Sequence, residues 1–259
     1  MQEHVVRPPR PTGLVLGLMV AIGCSWVMFA ASLNWSRAPF AETLWAALVG
    51  DGARVLHGQL WRLVTAPLLH NPQTPSHALI AIMLLYFFAA PLAAEWGARR
   101  IGLFLLGSAL VGNGLESLAS LVPALETRQW YGAMTLANAA TVAWAFENRH
   151  QVVRLFLVVP VRPLMMVGLL VLWHVALLIS RSPSAEGMVA PFGGMLAGWL
   201  LCDASPLRRL WLRKKLGRYQ RELDALRAKD RERAKRRRNG PELRLIRGGD
   251  DDDEPRILH

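Results

Sequence analysis

The residues of this chain whose types can do chemistry stand in or beside apolar runs. Thr135 follows Trp130-Tyr131-Gly132-Ala133-Met134 and opens a hydrophobic stretch lasting to Phe146, and His174 lies inside another such stretch. A hydroxyl and an imidazole are the parts of a nucleophile and its general base when a hydrogen bond joins them. His70 and His77 flank a turn containing Pro72 and Pro75, which permits a metal pair, although no further ligand stands near them and the reading favours no metal. Glu116 follows Asn113 in Val111-Gly112-Asn113-Gly114-Leu115-Glu116-Ser117. A carboxylate in such a segment is either a ligand or proton site, or a bundle-facing group hydrogen-bonded within the protein. Asn113 and Asn138 read as interhelical glue. Asn138 stands one helical turn after Met134, on the same face.

These groups must be positioned by helices in lipid. The chain has 259 residues, 53% of them hydrophobic, and a positive mean hydropathy. A membrane span needs about 20 mostly apolar residues. Runs at 13–33, 77–94, 101–122, 131–146, 164–180 and 188–204, each bounded by charge or proline, predict six spans, the fourth and sixth of them short. The first run is too long for a signal-peptide core and is predicted to be retained. With the N-terminus inside, Arg7, Arg10, Arg99, Arg100, Arg149, Arg154 and Arg162 face the cytoplasm, against Arg37, Arg54, Arg62, Arg128 and Arg181 outside. The bias of basic residues toward inner segments therefore predicts cytoplasmic termini. Cys24 and Cys202 fall in the apolar runs and support neither a disulfide framework nor a zinc site.

The connection between the first two runs exceeds forty residues, too long for a simple loop. Phe40, Leu44, Trp45 and Leu48 recur near helical spacing, which predicts an interfacial helix at the membrane surface. Then come Trp61-Arg62, a Thr65-Ala66-Pro67 turn, His70, and His77 at the start of the second run. That succession, with Glu95-Trp96-Gly97 after the second run, resembles the rhomboid intramembrane proteases over roughly residues 57–204. The resemblance implies an oxyanion-binding His-x-x-x-Asn on the second helix, Gly-x-Ser-Gly opening the fourth, and Ala-His-x-x-Gly-x-x-x-Gly in the sixth.

The sixth run keeps the glycine frame. Ala190, Gly194 and Gly198 stand at the implied spacing, with Gly193 and Ala197 beside them. Small residues four apart let helix backbones approach closely in lipid. The reactive positions differ. His77 is present, but Ala81 stands where the asparagine belongs, Met134 where the serine belongs, followed by Thr135 for the glycine, and Pro191 where the histidine belongs. A thioether has no proton to lose, and proline has no titratable side chain. The substitution holds in any register, because 129–147 contains no serine and 188–204 no histidine. In serine hydrolases, loss of one such group lowers the rate by a factor on the order of a million.

The net charge of +11 resides mostly in the tail after Ser205. Leu212, Leu216, Tyr219, Leu223 and Leu226 alternate four and three apart within it, interrupted by Gly217. This is either a short coiled-coil seam or a helix on the inner leaflet with its basic residues on lipid phosphate. Asn239-Gly240-Pro241 ends the helix, and the acidic block from Asp250 to Glu254 reads as a solvated disordered end. Nucleic acid is not the expected partner.

The expected architecture is all-α. It comprises a cytoplasmic segment 1–12, a six-helix rhomboid-like bundle 13–204, and a cytoplasmic tail 205–259 that is basic and helical, then acidic. The expected function is that of a pseudoprotease in a bacterial inner membrane, binding transmembrane segments of client proteins without cleaving them. Its cavity would involve His77, Gly132, Met134, Thr135, Asn138 and Pro191, with helix packing through Gly193, Gly194 and Gly198 and an outer-loop motif at Trp61 and Arg62. Partners are clients, membrane lipid and anionic headgroups; no cofactor is implied. Two alternatives remain: a protease with a relocated Thr135–His174 pair, and a scaffold acting through the basic tail.

Overall fold

The computed structural model describes residues 11, 13–36, 38–155, 159–181 and 185–238. Arg7, Arg10, Arg37 and the acidic block 250–254 lie outside the described residues. Residues 1–209 form one compact unit and residues 210–259 a second.

Helix α1, Gly13–Ala31, is apolar throughout and buries only Val15, Ile22 and Phe29. A spacing of seven is two turns, so one narrow seam meets the protein and the other faces suit lipid. After a π turn at Ser32–Ser36, the short helix α2, Pro39–Leu48, forms where the interfacial helix is predicted. Pro39 fits its first turn, where an N–H lacks a partner in any case. Phe40 and Trp35 are among the most exposed large side chains, as suits a surface element whose apolar face enters lipid. Two short helices follow, α3 (Gly52–Leu56) and α4 (Arg62–Thr65).

The second apolar run is one helix in three parts: α5 (Pro75–Leu84), a π turn at Leu85–Ala89, and α6 (Ala90–Trp96). Pro91 has no N–H to return to the preceding turn, and the π turn is the local adjustment that carries the chain past it. Gly97, at φ +78°, ends α6 and opens α7, Ala98–Ala119. Helix α7 buries Ile101, Phe104, Leu105, Ser108, Ala109, Gly112, Asn113 and Glu116, the three-and-four spacing of one inward face.

Helix α8, Met134–Glu147, has 14 residues and is buried on nearly every side. It is the centre of the bundle, and its shortness follows from being shielded by the others. The chain is mostly helical, as expected, with one short hairpin added between helices. Strands β1, Val153–Leu155, and β2, Val159–Val161, pair antiparallel ahead of α9, Pro163–Ile179. Val153, Val159 and Val161 are β-branched, and Pro160 and Pro163 disfavour continued helix. Helix α9 buries only Pro163 and His174, so it is peripheral.

Helix α10, Ala190–Leu201, closes the bundle through its glycines. A Cβ on Gly194 would collide with the backbone carbonyl of Thr135, one on Gly198 with that of Ala139, and one on Gly193 would lie 2.6 Å from the Cα of Gly112. The glycine seam thus sets the closest approach of α10 to both α8 and α7. Beyond the far ends of α8 and α10, Arg100 binds Asp203 and stacks 4.1 Å from the centre of the Trp96 ring, while the Asp203 amide donates to Glu147.

Three helical segments are long and apolar enough to cross a membrane: Gly13–Ser36, Pro75–Trp96 and Ala98–Ala119. Pro163–Ile179 and Ala190–Leu201 are shorter apolar helices. In the second unit, residues 210–238 continue α11, Pro206–Arg238, through Gly217 without interruption. Leu212, Leu216, Tyr219, Leu223 and Leu226 are all exposed on it.

Candidate functional site

The site is assembled around the segment entering α8, where five successive amides donate to five different places. Trp130 N–H reaches the Gly50 carbonyl (3.0 Å), Tyr131 that of Ala185 (2.7 Å) and Gly132 that of Ala66 (3.0 Å). Ala133 N–H reaches Nε2 of His70 (3.3 Å), and Met134 N–H reaches Oε2 of Glu186 (3.1 Å). Backbone donors at a helix start lack intrahelical partners and must be satisfied from outside. Here the segments before α3, α5 and α10 supply them, so the entry to α8 is fixed by long-range contacts.

The surrounding loops are locked just as specifically. Arg62 is only 2% exposed, and its guanidinium donates to the carbonyls of Ala46 and Val49 and to Gln59. Trp61 donates to the Ala47 carbonyl and Thr65 to that of Leu48. The outer-loop motif is therefore a C-terminal cap of α2, satisfying carbonyls that the helix leaves open. Asn113 donates to the Leu63 carbonyl (2.7 Å), tying this loop to α7.

Glu116 lies within the bundle and resolves into an N-terminal cap. Its carboxylate accepts from the amides of Met188 (3.1 Å), Val189 (2.6 Å) and Ala190 (2.8 Å), the start of α10. Gly187, at φ +85°, brings the chain past this carboxylate, which a Cβ there would overlap.

At the mouth of α8, His77 and Glu186 meet. His77 Nδ1 accepts from the Asn71 amide (3.2 Å), so the ring proton is on Nε2, which donates to Oε1 of Glu186 at 3.0 Å. Glu186 is 6% exposed. Burial pushes its carboxyl up from the usual range, opposed by His77 and by the Met134 and Thr135 amides. Gly132 has φ +122°, and a Cβ there would collide with the Glu186 carboxylate and stand 2.9 Å from His77 Cε1. His70 packs beside His77, ring centroids 4.9 Å apart. Burial, and secondarily His77, push His70 down to about 4, against a smaller opposing pull from the Leu68 carbonyl. Among the described residues no group of three or more His, Cys, Asp and Glu is arranged to hold a metal ion.

The structure thus brings His77, Gly132 and the Met134 amide together around a residue that sequence reasoning missed. Glu186 gives little signal, being a loop acid with no periodicity. The one available clue is that a retained His77 without the reactive partners its resemblance implies still needs an acceptor. Asn138 does not join this group. Its Nδ2 donates toward Nε2 of His174 (3.4 Å), whose Nδ1–H is held by the Leu170 carbonyl (2.9 Å). The Thr135 side chain joins neither group, its Oγ1 buried without a partner among the described residues and its methyl against Gly112. Pro191 is buried in the first turn of α10, next to the Ala190 amide that Glu116 holds. Ala81 is fully buried on α5.

The model of the rhomboid domain matches residues 57–204, more than half the chain. The chain belongs to the rhomboid family. No curated protein matches it. In this rhomboid the glycine seam, the α8 entry and the retained His77 all fall within the matched region. So does a lateral cleft of about 640 Å³ whose lining includes Leu84, Phe88, Thr141, Met166, Leu170 and Trp173. It lies between the second apolar helix and α9, and its walls are almost wholly apolar.

Chemically, the site brings N–H donors, among them His77 Nε2–H and Met134 N–H, onto one carboxylate. Such donors stabilise a negative oxygen. The Thr135 hydroxyl has no base bonded to it among the described residues.

Proposed function

We propose that this rhomboid is a pseudoprotease, a six-span membrane protein that binds transmembrane segments of client proteins and does not cleave them. The observation that carries this reading is the occupant of the donor pair: Glu186 fills the position where His77 and the Met134 amide would polarise a scissile carbonyl. Met134 and Pro191, at the positions the family resemblance gives to the serine and histidine, supply neither a nucleophile nor a base. Thr135 and His174 do not replace them, since His174 is engaged by Asn138 and Leu170.

Client binding is supported by the lateral cleft between the second span and α9. It is apolar, with Thr141 as a polar contributor, and α9 is tied to α8 by the Asn138–His174 hydrogen bond. Interhelical polar bonds in lipid average about 0.6 kcal/mol. Helix α9 buries only Pro163 and His174, and a helix packed so shallowly can be moved aside by an entering segment. The shorter helices α8, α9 and α10 complete the six spans. The basic helix α11 rests on anionic headgroups at the cytoplasmic face of a bacterial inner membrane, with both termini on that side.

The test is cleavage of a labelled transmembrane substrate by the purified protein in lipid vesicles, beside an active rhomboid and the Thr135→Ala and His174→Ala variants. No turnover is expected where the active rhomboid cuts. Turnover abolished by either substitution would replace this reading with a relocated Thr135–His174 pair. Deleting the chain after Ser205 separates the scaffold alternative, because client binding is expected to survive.

A further inference from the structure

Helix α11 carries an apolar stripe with no partner in its own unit. Leu212, Leu216, Tyr219, Leu223 and Leu226 are 40–59% exposed, and every other residue from Arg213 to Ala225 is charged, Gln, Gly or Ala. A helix whose apolar face enters a leaflet needs that face to be at least about 100° wide, whereas two apolar positions in seven form the narrower seam of a coiled coil. The stripe is of the second kind. Opposite it stand Lys214, Arg218 and Arg221, a basic back that serves lipid phosphates while the seam is covered by something else.

The root of the helix is fixed. Ser205 caps it, its Oγ accepting from the Arg208 amide (3.1 Å), and Asp203 binds both Arg208 and Arg100 of α7. Two copies in one membrane therefore start α11 at the same face. Pairing in parallel and in register sets all five seam residues against their own copies. It also places Glu222 of each chain beside Arg227 of the other, because flanking residues five apart meet across a parallel pair, and Lys215 then faces the neutral Gln220. Antiparallel pairing matches four of the five at most, leaving Leu226 opposite Arg209 or Leu212 opposite Asp230.

We propose that the seam of α11 is the docking surface for a second copy of this chain, the two helices forming a parallel coiled coil at the membrane surface. Two heptads are marginal as a free peptide, and confinement of both chains to one membrane supplies the local concentration that closes the pair. This pairing does not depend on client binding, which concerns the bundle.

The experiment uses the full chain in lipid vesicles, with Cys24→Ala and Cys202→Ala as background. Single cysteines are placed in the seam (Leu216→Cys, Leu223→Cys) and on the basic back (Lys214→Cys, Arg221→Cys), and disulfide-linked dimers are followed on mild oxidation. Dimers are expected from the seam positions and not from the back. A second arm needs no added cysteine. Glu222→Arg or Arg227→Glu turns both attractive pairs repulsive and is expected to weaken dimerisation about fivefold, read by energy transfer between fluorescent chains as added lipid dilutes them. The two substitutions together are expected to restore it. Equal crosslinking at seam and back, no crosslinking at the seam, or a double variant as weak as the single ones overturns the proposal. Seam cysteines that stay uncrosslinked while a fluorophore on them is quenched by brominated lipid assign the stripe to the leaflet instead.

Discussion

Replacing Glu116 by Gln is expected to lower stability by about 2 kcal/mol, because three backbone amides of α10 converge on its two oxygens. A glutamine keeps one accepting oxygen, enough for Val189 and Ala190, and turns an NH2 group toward the Met188 amide. One hydrogen bond is lost and two donors are left face to face at a position 1% exposed. A buried unsatisfied donor costs about 1–3 kcal/mol, and loss of a negative charge from a helix N-terminus adds up to about 2. Glu116→Ala strands all three donors, about 3–9 kcal/mol, which reaches the whole stability of an ordinary domain. The assay is thermal unfolding in detergent, where about 2 kcal/mol corresponds to roughly 4–8 °C for a body of this size. Glu126→Gln, on an exposed residue, serves as control and is expected to stay within about 0.5 kcal/mol. A Glu116→Gln protein as stable as that control would refute the capping role and the account of how α10 is started.

The remaining perturbations test other parts of the frame. Gly198→Leu drives a side chain into the Ala139 carbonyl and is expected to cost about 3 kcal/mol or more, whereas Gly168→Ala, with open space around it, is expected to be near neutral in the same unfolding assay. Arg62→Met removes the donors to Ala46, Val49 and Gln59, about 2–4 kcal/mol; limited proteolysis is expected to open the 39–50 region ahead of the bundle. His70 has a folded pKa depressed from 6.5 to about 4, so its contribution is complete above 6.5 and is lost as pH falls through that range, about 3 kcal/mol in all. Glu186 is shifted upward and acts in the opposite sense, its contribution present at low pH and lost as pH rises. The difference between wild type and His70→Gln, measured as unfolding free energy against pH, isolates the histidine; parallel curves would contradict the assignment.

What the sequence made legible was whatever one segment decides alone. The length of an apolar run located the long helices, and a period near 3.6 found α2 before its role was visible. The spacing of Gly194 and Gly198 announced a close helix contact, now seen against the carbonyls of Thr135 and Ala139. Groups whose partners are set by tertiary structure were not legible. Glu186 lies in a loop, and only the folded chain brings it to a histidine on another helix. Asn138 was placed facing the α8 entry but turns to His174. Helix α8 is buried on nearly all sides, so its hydrophobic pattern has no polar face to reveal its rotation. The hairpin of β1 and β2 escaped because three-residue strands carry too little alternation to distinguish from a turn.

The most direct test of client binding without cleavage places a photoreactive amino acid at Leu170 or Trp173 in the lateral cleft and irradiates the protein in vesicles with end-labelled transmembrane peptides. The account predicts crosslinked adducts carrying both end labels, at the cleft and not at the lipid-facing Leu103 used as control. Adducts retaining one label only, or equal crosslinking at Leu103, would contradict it.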